Sequence, residues 1–87
     1  MANVHADPDK LRDLAKTLSS SAQQFEQLAR QLQRSLDRTD WKDSERDRFE
    51  QDFHQTLRTI AQFADRLRSQ YAPQLQKKAA ALDQFRS

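Results

Sequence analysis

Arg38-Thr39-Asp40-Trp41-Lys42-Asp43-Ser44-Glu45-Arg46-Asp47-Arg48-Phe49-Glu50-Gln51-Asp52 is the longest interval of this chain without a regular apolar stripe, and it holds the only tryptophan. Long patterns of apolar residues flank it on both sides. That arrangement predicts two amphipathic helices joined by a short polar elbow, an all-α antiparallel helical hairpin. The composition agrees. The 87 residues suffice for one small domain, with no Gly, two Pro and no Cys. Strand hairpins lean on Asn-Gly, Asp-Gly or Gly-Gly turns, and none of these dipeptides occurs. Residues 1–87 are therefore read as a single helical-hairpin domain, with helices at about 8–38 and 45–86 and a turn at about 39–44.

Working outward on the N-terminal side, Asp7-Pro8-Asp9 is a helix start. An Asp can cap free backbone N–H groups, Pro suits the first helical position, and both carboxylates favour the positive end of the dipole. Apolar positions then recur every seven residues. Leu11, Leu18, Phe25 and Leu32 form one line; Leu14, Ser21, Leu28 and Ser35 form the next; Ala15, Ala22, Ala29 and Leu36 flank them. A stripe this wide suits a bundle better than a narrow two-stranded seam, and its alanines let a neighbouring helix come close. Ser19-Ser20-Ser21 resembles a linker, but the repeat runs through it without a slip, so it reads as helix.

On the C-terminal side, Thr39, Asp40, Asp43 and Ser44 disfavour helix interiors and favour caps. With no Gly to take a left-handed conformation, Asp40 or Asp43 must tolerate it, or the turn avoids it. The second stripe reads Phe49, Phe53, Leu57, Ile60, Phe63, Ala64, Leu67, Tyr71, Leu75, Leu82 and Phe85. Its phase drifts near residues 71–75, as a four-residue stutter would produce, and Pro73 in that interval predicts a kink or break. Pairing the helices about Trp41 sets Leu36 against the start of the second helix. Phe25 then meets Leu57, Leu18 meets Phe63 and Ala64, and Leu11 meets Tyr71. On that register residues 74–86 overhang the first helix by ~18 Å at 1.5 Å per residue. Leu75, Leu82 and Phe85 then lie on an uncovered amphipathic extension. The overhang, and stripes too broad for one hairpin to hide, predict a homodimer closed into a four-helix bundle. Leu11, Leu14, Leu18, Phe25, Leu28 and Leu32 would form the core or dimer stripe with the second-helix residues from Phe49 to Tyr71.

The chemistry-bearing residues point away from catalysis. His5 and His54 lack the spacing of a metal motif, and Glu50 four residues before His54 fits a solvated pair. The acidic residues around the elbow alternate with Lys42, Arg46 and Arg48, the pattern of a solvated surface. The serines have no base beside them, and a phosphate cradle needs Gly. No enzyme activity, cofactor or metal is expected. Net charge is +2, with nine basic and eleven acidic residues in 1–53 but six basic and two acidic in 54–87. That gradient favours antiparallel self-association or an acidic partner. The basic residues are interleaved with Asp, Glu and Gln, which argues against a nucleic-acid partner. Lys77 and Lys78 with Leu75, Leu82 and Phe85 could lie on an anionic membrane, although no run approaches a transmembrane span. The opening residues lack the features of a cleavable signal peptide.

Two long helices, no signal peptide and a lone Trp at the central turn, followed by Phe49 eight residues later, resemble the WXG family. These are the ESAT-like helical-hairpin proteins of type VII secretion. The likeness runs from about Val4 to Phe85. Its sharp marker is Trp41, and Asp43 stands where the family has its defining Gly, so Trp41-Lys42-Asp43 is a W-x-D variant. The resemblance implies a dimeric effector, adaptor or chaperone-like partner without catalysis, secreted without a cleavable signal peptide or cytoplasmic. Trp41 would anchor the turn and line a cleft for a heterologous partner or secretion machinery. The family's C-terminal signal, a Tyr with an acid four residues on, is missing, because Leu75 stands four residues after Tyr71. A simpler role for Trp41 is a plug for the bundle end, its indole N–H bonded to a backbone carbonyl. The alternative for the whole chain is a structural coiled-coil spacer or a subunit of a larger assembly.

Overall fold

The computed structural model describes residues 6–86 as a helical hairpin 65 Å long, 21 Å wide and 16 Å thick. His5 lies outside the described residues. Helix α1 spans Pro8–Asp37; α2 spans Ser44–Arg66 and passes through a π-helical turn, Leu67–Tyr71, into α3, Ala72–Arg86. Among the described residues there is no strand. Helix α1 starts as its sequence dictates: the Asp7 carboxylate accepts from the Asp9 N–H at 2.9 Å, with Pro8 in the first turn.

The seam between the two limbs is built from small side chains. Ala15, Ala22 and Leu36 of α1 are buried, as are Leu57, Ala64, Leu67, Ala72 and Ala79 of the returning limb. Four of these alanines, at 15, 22, 64 and 79, have no exposed surface at all. Alanine faces bring helix axes close, so the neighbour that the alanine line admits is the chain's own second limb. Ala22, Ala64 and Leu67 form the central cluster, with Leu18 and Phe25 packed on its edge.

The register differs from the expected one. The Phe25 ring meets Phe63, edge to face at 5.5 Å, rather than Leu57. Leu18 packs on the Ala22, Ala64 and Leu67 cluster, which includes its expected partner Ala64. Glu26 pairs with Arg68, and Arg12 with Asp83. The elbow is the cause. Residues 39–43 leave the helical path, and Asp43 is extended at φ −96° and ψ 178°. Extended residues advance about 3.3 Å each against 1.5 Å in a helix, so they carry the chain past the end of α1 before α2 begins.

This offset removes most of the expected overhang. Helix α3 packs along α1, with Ala72 and Ala79 in the seam and Leu75 and Leu82 half-buried. Only Phe85 fits the expectation of an uncovered residue there, at 91% exposed. Arg12 reaches across to Asp83, whose hydrogen bond raises the guanidinium pKa above its ordinary value.

The phase drift has a simpler source than a four-residue stutter. Ala64 and Ala72 share one seam line, and Leu67 and Leu75 share the other, each pair eight residues apart. One extra residue is accommodated by the π turn, where the Ala72 N–H donates to the Leu67 carbonyl five residues back. Pro73 explains its place. Proline has no N–H and its ring crowds the carbonyl four residues earlier, so the ladder widens just before it. Ser69 Oγ donates back to the Asp65 carbonyl in the same stretch, a bond that favours helix distortion. The helix continues through Pro73 instead of breaking.

Candidate functional site: the elbow notch and the open apolar face

Asp40 takes the left-handed conformation at φ 60°, the position where a turn would ordinarily recruit Gly. Just before it, the Thr39 backbone N–H and hydroxyl both donate to the Leu36 carbonyl, at 3.1 and 2.7 Å. These bonds satisfy a carbonyl that the end of α1 leaves without a helical partner.

Asp43 organises the other side. One carboxylate oxygen, Oδ1, accepts from the backbone N–H groups of Glu45 and Arg46 at 3.0 and 3.2 Å. The same oxygen accepts the indole N–H of Trp41 at 2.8 Å. A single acidic side chain therefore caps α2 and orients the tryptophan. The expectation that the indole would bond a backbone carbonyl is corrected here. Glycine, with no side chain, could make none of these contacts.

Arg46 completes the elbow, a contribution the sequence reading missed. Its guanidinium donates to the Trp41 carbonyl at 2.9 Å and lies 3.6 Å from Asp37 at the end of α1. It also faces Glu50 one turn on, at 3.3 Å. The Arg46–Glu50 spacing of four residues was a visible signal; the reach to Asp37 depended on the elbow path.

Trp41 stands at the head of an aromatic ladder. Its ring centre lies 5.4 Å from Phe49, and Phe49 stacks on Phe53 at 5.3 Å. Leu32, Ser35, Leu36, Thr39, Trp41, Phe49 and Phe53 line an open notch of about 250 Å³. Nearly all of its lining is hydrocarbon or ring. Among the described residues, no group of three or more His, Cys, Asp or Glu could hold a metal ion. His54 faces Glu50 at 3.7 Å on the exposed side of α2.

The notch is one end of a longer surface. Leu14 and Leu28 of α1 are exposed, with Leu32 at the margin; so are Phe49, Phe63, Tyr71 and Phe85 of the second limb. Apart from Leu32, which shares the line of Leu18 and Phe25, these residues sit one helical line away from the seam in each limb, and Ser35 and Phe49 of the two lines meet in the notch. The two lines therefore share one face of the hairpin. Of the expected stripe, Leu57 and Leu67 are buried inside the hairpin, and Leu11, Leu18, Phe25, Phe53 and Ile60 are half-buried. Gln27, Arg30, Gln31 and Arg34 surround a shallow polar depression on the outer edge of α1, away from the second limb. Among the described residues, no helix is long and apolar enough to cross a membrane.

No family model, no curated protein and no solved structure matches this chain significantly, so its residues and their geometry carry the functional reading.

Proposed function

We propose that this chain is a non-enzymatic protein-interaction module that works as a homodimer, closing the open faces of two hairpins into a four-helix bundle. One observation carries this reading. The hairpin hides its alanine lines and leaves a row of large side chains, Leu14, Leu28, Phe49, Phe63 and Tyr71, on one face. Contiguous exposed apolar surface of this kind marks interaction sites. A face 65 Å long and 21 Å wide offers more than the roughly 800 Å² per partner of a standard interface.

The likeness to the WXG family adds a role. On that reading the dimer is a small effector or adaptor, exported without a cleavable signal peptide or retained in the cytoplasm, with secretion machinery as its heterologous partner. What supports it is the elbow, where an indole fixed by Asp43 borders an open apolar notch.

The test is a pair of charges on the face. Light scattering should give the mass of a dimer for the unaltered chain. Leu28→Glu combined with Tyr71→Glu should give a monomer with its helical circular dichroism intact, because both side chains are exposed in the single hairpin. A double variant that stays dimeric would refute this face as the contact surface.

A further inference from the structure

Lys78 is the one charged residue on the outer lines of the open face. On the second limb that line reads Phe49, Thr56, Phe63, Tyr71, Lys78 and Phe85; on α1 it reads Leu14, Ser21, Leu28 and Ser35. The lysine stands seven residues from each of two rings, Tyr71 and Phe85, which are 42% and 91% exposed. Its neighbours one turn away, toward the seam, are the half-buried Leu75 and Leu82. Lys77, the preceding residue, is turned about 100° further from the seam, onto the outer side of α3. Position 78 is therefore a cation set among apolar side chains, whereas position 77 is an ordinary solvated lysine.

The angle of Lys78 decides what can cover it. It lies about 100° round α3 from the buried Ala79. When two hairpins close into four helices, each helix has one neighbour across the seam and one across the open face. The core then lies midway between those two directions, where Leu75 and Leu82 point, and Lys78 falls at its edge. A lysine at an edge lays its stem on the apolar surface and keeps the ammonium in water. A ring of more helices buries a wider stripe on each one, because the angle between its two neighbours opens. The same lysine is then drawn inward, where an ammonium without a carboxylate loses its hydration uncompensated. A single polar residue in an apolar helix line sets the number of strands in coiled coils in this way, at some cost in stability.

We propose that Lys78 is the specificity residue of the open face and limits assembly to two hairpins. The proposal rests on the homodimer reading and adds what stops association there. Phe63, Tyr71 and Phe85 share its line and would otherwise favour larger bundles, since nothing else on either line carries a charge.

The test is the distribution of masses in sedimentation velocity, over a dilution series, for the unaltered chain, Lys78→Met, Lys78→Leu, Lys78→Arg and Lys77→Met. All should keep their helical circular dichroism, because both lysines are exposed in the single hairpin. The unaltered chain, Lys78→Arg and Lys77→Met should stop at twice the 10.2 kDa of one chain. Lys78→Met and Lys78→Leu should form discrete species of more than two copies that dissociate on dilution. Strict dimers or monomers from both of these charge-free variants would overturn the role of Lys78 and leave the homodimer standing. Larger species from Lys77→Met would overturn it as well, because loss of any positive charge would then suffice. An unaltered chain that passes two copies would do the same, and one that stays monomeric at all concentrations would overturn both readings.

Discussion

Ala64 and Ala72 occupy successive positions on one seam line although eight residues, not seven, separate them, and the π turn between them absorbs the difference. Removing one residue inside the turn restores a seven-residue repeat and leaves every seam residue in phase. Deleting Gln70 should therefore keep helical content and change the melting temperature little. Deleting Gln51 in α2 rotates each later side chain by about 100°, which turns Phe53, Leu57, Ile60, Ala64 and Leu67 off the seam. That variant should lose cooperative unfolding. Equal effects of the two deletions on thermal melts would contradict the role given to the turn.

Asp43 serves two donors at α2 and one on Trp41. Loss of an N-cap costs about 1 kcal/mol, and loss of the indole's partner adds about 1 kcal/mol more. Asp43→Ala should lower stability by roughly 2 kcal/mol in urea denaturation and broaden the tryptophan emission. Asp43→Asn, which retains an oxygen acceptor for the cap, should lose less.

Small residues in the seam and large ones on the open face should respond oppositely to a change of size. Ala22→Leu forces extra methylenes between α1 and the Ala64–Leu67 region, at a cost of about 1–3 kcal/mol or more. Leu28→Ala removes an exposed side chain and should change the stability of the single hairpin by no more than about 0.5 kcal/mol. The same change should weaken self-association. Denaturation at two protein concentrations separates the two effects.

Much of the architecture is legible in the residues. Asp7-Pro8-Asp9 marks the start of α1, and Asp43 before an acidic first turn marks the start of α2, because capping is local chemistry. The seven-residue spacing of Ala15, Ala22, Ala29 and Leu36 shows a packed helix face, though not which of its two edges faces the chain's own second limb. The register was not legible, because it depends on how far residues 39–43 travel in space. A turn assumed to be tight sets Phe25 on Leu57, whereas the extended elbow sets it on Phe63. That error contributed to the overhang expected beyond Pro73, and the offset grows further toward Arg12 and Asp83. The π turn did leave a trace: Ala64 to Ala72 and Leu67 to Leu75 are both spaced by eight beside a proline. The bond between Asp43 and the Trp41 indole left none, since the two residues are neighbours whether or not their side chains meet.

In the proposed homodimer, a second copy covers the face that one hairpin leaves open. Sedimentation equilibrium over a dilution series measures this directly. The mass should rise with concentration from the 10.2 kDa of one chain to a plateau at twice that value. A mass fixed at that of one chain across the whole series would contradict the claim.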